Sequence, residues 1–148
     1  MSIGDGGNPP QRVGDRLARE QAQNLATHQG KILRLNVDGK PAAGNPLAAQ
    51  AKAMPEIYSY GHRNVQGLAL DPKSGRIWAS EHGARGGDEI NQVAAGKNYG
   101  WPLQSYTLDY TTREPIGKRV RDVRQGPDGQ LYVLTDEAKG SLLRIVPQ

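Results

Sequence analysis

The chain has 148 residues, enough for one domain with a hydrophobic core, and carries 19 Gly, 10 Pro, no Phe and no Cys. Its formal net charge of +4 comes from 19 Lys and Arg. These are scattered along the chain and not gathered into one basic block, which argues against nucleic acid as a partner. The lack of cysteine excludes disulfides, thiolate metal sites and Cys nucleophiles, and no apolar run approaches the roughly 18 residues of a membrane span.

So much Gly and Pro suits short elements joined by tight turns, an all-β composition more than a helical bundle. In chain order, Ser2-Ile3-Gly4-Asp5 reads as the end of a strand closed by an acidic residue. Arg16 to His28 reads as a short helix or a long polar loop, and Pro41 to Pro55, rich in Ala, Gly and Pro, as an exposed connection. From Asp71 to Glu81 the chain shows a Pro-containing turn closed by Gly75, a strand with an aromatic, and a terminal acid. The same pattern returns from Gly126 to Asp136, with an Asp-Gly turn at Asp128-Gly129. A second element occurs three times, as Gly30-Lys31-Ile32-Leu33-Arg34-Leu35, Asp88-Glu89-Ile90-Asn91-Gln92-Val93 and Gly140-Ser141-Leu142-Leu143-Arg144-Ile145. Ile32, Ile90 and Leu142 mark its copies, at 58- and 52-residue spacings. That period is a propeller blade of roughly 40–45 residues lengthened by loops. We expect one partial β-propeller domain over 1–148, with blade remnants at about 1–40, 57–98 and 119–148.

Chemistry concentrates between Tyr60 and Pro102. The stretches are Gly61-His62-Arg63-Asn64-Val65-Gln66-Gly67, Glu81-His82-Gly83-Ala84-Arg85-Gly86-Gly87-Asp88-Glu89-Ile90-Asn91 and Asn98-Tyr99-Gly100-Trp101-Pro102. Polar, Gly-dense segments beside strands expose backbone groups, as a binding face built from loops requires. Tyr99, Trp101, Tyr106 and Tyr110 crowd the following segment, which is unexpected for a solvated loop. On residue type alone, Arg63 and Arg121 also fit surface ion pairs, Glu89 a solvated strand start, and Tyr99 and Trp101 packing beneath a loop. His28, His62 and His82 each fit a single backbone hydrogen bond.

These three motifs resemble those of the soluble aldose sugar dehydrogenases, six-bladed β-propellers that bind pyrroloquinoline quinone (PQQ) and calcium. The segments around Gly30-Lys31-Ile32-Leu33-Arg34 and Arg119-Val120-Arg121-Asp122 are similar to other blades of that family. The resemblance implies an all-β fold of the six-bladed type, with about two and a half to three blades in this chain. It implies PQQ contacts from Arg63, Asn64, Tyr110, Arg119 and Arg121. A planar tricarboxylate suits guanidinium forks, and Arg119 and Arg121 alternate on one strand. It implies calcium held by Glu89 and the Tyr99 carbonyl, or by carbonyls at Gly83 and Ala84, oxygen ligands suited to a hard cation.

In the family the catalytic base is a His in a strand matching a position just upstream of the point where this chain begins. None of the three histidines here falls in the matching motif, so no catalytic residue is assigned. Between Tyr110 and Arg119, where the family has more than another blade, only Thr111 to Lys118 intervene. The implied activity is oxidation of an aldose to a lactone with an external electron acceptor. The alternatives are a non-catalytic module that binds PQQ, calcium or another anion, and a purely structural propeller. Open sheet edges lead us to expect a homo-oligomer that completes the ring. The family is periplasmic; without a charged-then-apolar leader in Met1 to Asp15, the chain as written is expected in the cytoplasm.

Overall fold

A computed structural model describes residues 1–7, 11–83, 87–103, 120–128 and 130–145. The strands are β1 (Ser2–Ile3), β2 (Arg12–Val13), β3 (Arg16–Leu17), β4 (Lys31–Leu33), β5 (Ile57–Tyr60) and β6 (Val65–Leu70). They continue with β7 (Ile77–Glu81), β8 (Glu89–Val93), β9 (Val120–Gln125), β10 (Leu131–Thr135) and β11 (Leu142–Ile145). The named strands pair antiparallel and form three three-stranded sheets, ordered β1-β4-β5, β6-β7-β8 and β9-β10-β11, plus the small β2–β3 hairpin. The chain divides into two compact units, Met1–Asn64 with Ala94–Ser105, and Val65–Val93 with Tyr106–Gln148.

In the first unit, β4 is buried along its whole length. Its neighbour on one side is β1, through Ser2↔Ile32 and Ile3↔Lys31, and on the other β5, through Lys31↔Tyr60 and Ile32↔Ser59. The boundary expected at residue 57 therefore shifts. Ile57–Tyr60 completes the first sheet, since it pairs antiparallel with β4. The ambiguous segment Arg16 to His28 resolves into β3 and a 3-10 helix over Ala18–Gln23. Ala18 and Gln21, three apart and hence eclipsed in this geometry, are buried together with Ala22. Pro41 to Pro55 is mostly exposed as expected, yet buried Asn45 pins it by donating to the carbonyls of Arg34 and Pro55 at 3.0 and 2.9 Å.

The second unit holds two sheets packed face to face. Ala69 and Ile90, with Trp78 beside them, meet Val123 and Val133, with Leu143 beside them. Val123 and Val133 are fully buried, each worth roughly 1.5–3 kcal/mol of transfer free energy. The sheets touch most closely at Gly67. A Cβ there would lie 2.2 Å from Asp122 Oδ1 and 2.7 Å from the Val123 nitrogen. Turn chemistry sets the register on both sides. Asp71 accepts from the Lys73 N–H at 3.0 Å, and Asp128 accepts from the Gln130 N–H and the Tyr132 hydroxyl at 3.1 and 2.8 Å. The Gln130 N–H, then the Tyr132 hydroxyl, hold the Asp128 carboxyl below its ordinary range.

Counting from the hairpins shows a difference from the ungapped repeat. Leu70 pairs Ile77 across six residues, whereas Gln125 pairs Leu131 across five. Trp78 thus corresponds to Tyr132, Ser80 to Leu134 and Ile90 to Leu142. Ser80 and Ile90 are buried, while Leu134 and Leu142, directly opposed across β10 and β11, are exposed.

Candidate functional site

In the first unit, Arg63 and Asn64 follow β5 on a short link to β6. The link is anchored residue by residue. Gly61 donates to the Ala22 carbonyl at 3.0 Å, His62 to the Gly30 carbonyl at 3.1 Å, and Arg63 accepts from the Asp5 N–H at 2.8 Å. Gly61 has φ +75, and a Cβ there would sit 2.1 Å from Asn98 Oδ1, so only glycine closes the link onto the following loop.

That loop, Ala94 to Leu103, is held by paired amides. Gln23 and Asn98 exchange side-chain hydrogen bonds at 3.0 and 2.7 Å, and Gln23 Nε2 also donates to the Trp101 carbonyl at 2.6 Å. Trp101 N–H donates to the Gly61 carbonyl at 2.9 Å, and its indole Nε1–H to Asp5 Oδ2 at 2.6 Å. Over this fixed ring lies the Arg63 guanidinium, with Cζ 5.5 Å from the ring centroid. The result is a half-buried cation on an aromatic face, braced by a buried carboxylate.

Tyr99 stacks on His62, with centroids 4.4 Å apart at 22°, and its hydroxyl accepts from the Ala94 N–H at 2.9 Å. His62 is fully buried and bonds Ser59 Oγ at 2.9 Å through Nε2. Together they are packing beneath the loop. His28 departs from the single backbone bond expected of it. Its Nε2 meets Glu56 Oε1 at 2.6 Å, because β5's approach brings that acid alongside.

The second unit carries the other motif residues. Across the hairpin end, Glu81 pairs Glu89, and Asn91 Nδ2 donates to both carboxylates at 3.4 and 3.1 Å. Just beyond, buried Asp88 closes the loop. It bonds His82 Nδ1 through Oδ2 and accepts the Gly83 N–H at Oδ1, both at 2.9 Å. Arg121 is exposed and forms an ion pair with Asp136 at 2.6 Å. Tyr110, Arg119 and Ala84 lie outside the described residues. Arg63, Asn64 and Tyr99 therefore belong to one unit, and Gly83, Glu89 and Arg121 to the other. Among the described residues no group of three or more His, Asp or Glu side chains is arranged to hold a metal. The donor chemistry that is present, guanidinium and amide beside an indole, fits a flat anion.

Residue-type reasoning missed three contributors. Gln23 carries no motif signal. Asn98 was legible only as part of Asn98-Tyr99-Gly100-Trp101-Pro102. Asp5 was legible only as the acid that ends a repeated strand.

Comparison with known proteins adds a family. The sequence profile described as Glucose / Sorbosone dehydrogenase matches residues 11–118 and 112–144. An uncharacterized protein of Synechocystis is 40% identical, covering 98% of this chain and 52% of its own length. The aldose sugar dehydrogenase YliI of Escherichia coli K12 is 33% identical, covering 92% and 56%. Among solved structures, a Thermus thermophilus protein described as an oxidoreductase (glucose dehydrogenase) superposes with a TM-score of 0.81 at 39% identity. It covers 99% of this chain and 42% of its own. The PQQ-bound aldose sugar dehydrogenase of Streptomyces coelicolor gives 0.64 at 28%, covering 96% and 43%. The chain thus spans about half the length of the curated relatives it matches. The Synechocystis alignment runs over 214 positions, more than the 148 residues here, so the relative carries sequence with no counterpart in this chain. The two profile matches overlap at residues 112–118.

Proposed function

This chain belongs to the Glucose / Sorbosone dehydrogenase family, a β-propeller fold of which its three sheets are blades, and from that premise we propose that it contributes the arginine-bearing part of a PQQ site. The observation that carries the reading is the Arg63 guanidinium held half-buried on the Trp101 ring. A desolvated guanidinium on an aromatic plane binds a planar carboxylate-bearing ligand by charge and by shape together. Asn64 follows Arg63 directly and offers an amide for the same ligand. Arg121 of the second unit is exposed and paired with Asp136, and its own part in anion binding is a separate element of the proposal. The calcium that the resemblance implies, at Glu89 with the Tyr99 carbonyl or instead at the Gly83 and Ala84 carbonyls, stays a proposal resting on the oxygen-donor chemistry of these groups.

When bound, PQQ supplies the oxidant for an aldose. The residues described here bind and orient; none of the histidines is assigned proton transfer. His62 is enclosed by Ser59 and Tyr99, His28 is paired with Glu56, and His82 is turned toward Asp88. Binding without turnover is therefore the behaviour we expect of this chain alone. The test is titration of the purified protein with PQQ in the presence of calcium, followed by the cofactor's absorbance, and then dye reduction with glucose. Saturable binding that Arg63→Ala weakens supports the reading, and binding indifferent to that substitution, or none at all, overturns it.

A further inference from the structure

We propose that Asp5 is the positioning residue that holds Arg63 in its anion-reading pose, gripping it at the backbone directly and at the guanidinium through Trp101. The inference rests on the reading that Arg63 meets the anionic cofactor. Three contacts converge on this one residue. The Asp5 N–H donates to the Arg63 carbonyl at 2.8 Å, fixing where the side chain departs. Asp5 Oδ2 accepts the Trp101 indole N–H at 2.6 Å, fixing the plane of the ring. The Arg63 guanidinium lies on that ring, 5.5 Å from its centroid. Asp5 Oδ1 accepts the Gly7 N–H at 2.8 Å, so both carboxylate oxygens are engaged. Asp5 itself is only 4% exposed. A buried carboxylate is costly unless its oxygens find donors, and charge-assisted bonds are the ones strong enough to orient an aromatic ring.

The reach of its bond sets Asp5 apart from the acids near the ends of β7 and β10. Glu81 bonds Asn91 and Asp136 bonds Arg121, each within its own sheet and 10 or 15 residues away. Asp5 instead reaches 96 residues along the chain to the loop that carries Trp101. Gly61 and Gln23 hold the backbone of the same residue, which leaves the tilt of the ring to its bond with Asp5. Removing the Asp5 carboxylate frees the indole to tilt and leaves Arg63 on a moving support.

The test uses the full chain with Asp5→Ala, Asp5→Asn, Trp101→Phe and Arg63→Ala, checked for folding by thermal unfolding. In the ligand-free protein, proton NMR reads the Trp101 indole N–H and the ring-current shift on the Arg63 side chain. Asp5→Ala should move the indole proton upfield and collapse the ring-current shift. Asp5→Asn keeps an acceptor and should preserve most of both. With PQQ, Asp5→Ala should raise Kd about tenfold, equivalent to roughly 1.4 kcal/mol. It should add nothing further in the Arg63→Ala background. If Asp5→Ala does not fold, Trp101→Phe, which keeps a ring but deletes the donor, should loosen Arg63 in the same way. Unchanged Arg63 resonances in a folded variant without the Asp5–Trp101 bond overturn the proposal, as does a full Asp5→Ala effect added on top of Arg63→Ala. Should PQQ bind no variant and no wild type, the cofactor reading fails alone, because the ligand-free spectra still decide what positions Arg63.

Discussion

Replacing Lys31 with Met probes the deepest charge in the structure. Lys31 begins β4 with no exposed surface, and its Nζ donates to the carbonyls of Gln21, Ala22 and Gln29 at 2.9, 3.0 and 2.7 Å. Burial lowers its pKa from 10.5 to about 8. Below pH 8 the native and unfolded chains both hold the proton, and Lys31 contributes no pH dependence. Between 8 and 10.5 the native chain releases it while the unfolded chain keeps it. The unfolded state then binds more protons, so stability rises with pH across this window. The full shift is worth at most about 3 kcal/mol, since one pKa unit is about 1.4 kcal/mol and the three carbonyls favour the ammonium. Near neutral pH, Lys31→Met loses those bonds, although the Gln21 and Ala22 carbonyls keep the Asn24 and Gly61 N–H groups. A loss of about 1–3 kcal/mol is expected there. Urea unfolding of both proteins, followed by tryptophan fluorescence from about pH 7 to about pH 10, should show the gap widening by up to about 3 kcal/mol. Other titrating groups are common to both proteins and cancel in the difference. A gap that stays constant across the window would falsify the desolvated-lysine argument.

Gly67→Ala places a methyl against Asp122 Oδ1 and the Val123 nitrogen, backbone on one side and packed carboxylate on the other, and should cost about 1–3 kcal/mol in urea unfolding. Wild-type stability in that variant would mean the β6–β8 and β9–β11 sheets do not meet at this residue. The opposed pair Leu134 and Leu142, 46% and 68% exposed where Ser80 and Ile90 of the preceding sheet are covered, should drive self-association through a second copy's sheet. Light scattering should report an oligomer that Leu134→Glu with Leu142→Glu reduces to monomer, and a monomeric wild type at high concentration would remove the basis for it.

The strands were legible because each is bounded by turn chemistry that needs particular residues. Asp71 with Lys73 and Asp128 with Gln130 fix hairpins by local side-chain to backbone bonds, and such bonds depend only on short sequence spacing. What spacing does not fix is loop length to one residue. The shorter turn after β9 shifts the whole of β10 relative to the ungapped repeat, and a single-residue slip exchanges the two faces of a strand. That slip hid the correspondence of Leu134 with Ser80. The assignment of Ile57–Tyr60 failed for a related reason, since an alternating strand states which side is buried but not which neighbour buries it. At the site, Arg63, Asn64 and Trp101 stood out through their motifs. Gln23 and Lys31 did not, because their partners are backbone carbonyls and a distant amide, which leave no trace in local spacing.

The acids near the strand ends sit at different register positions and differ in role. In each sheet a strand of the same type ends in or just before a carboxylate, Asp5, Glu81 or Asp136, beside the adjoining loop. The partner of each charge is set by the segment that lies beside it. Glu81 finds an amide and shares it with Glu89, two like charges held opposite one another by Asn91. Asp136 finds the guanidinium of Arg121 and neutralises it in the open. Asp5 finds an indole N–H, a neutral donor, on the ring that carries Arg63. A cation held through an aromatic spacer is placed by contact with its flat face, and that contact uses none of its N–H donors. The Arg121 ion pair does use them, so a ligand carboxylate reaching Arg121 must first displace Asp136.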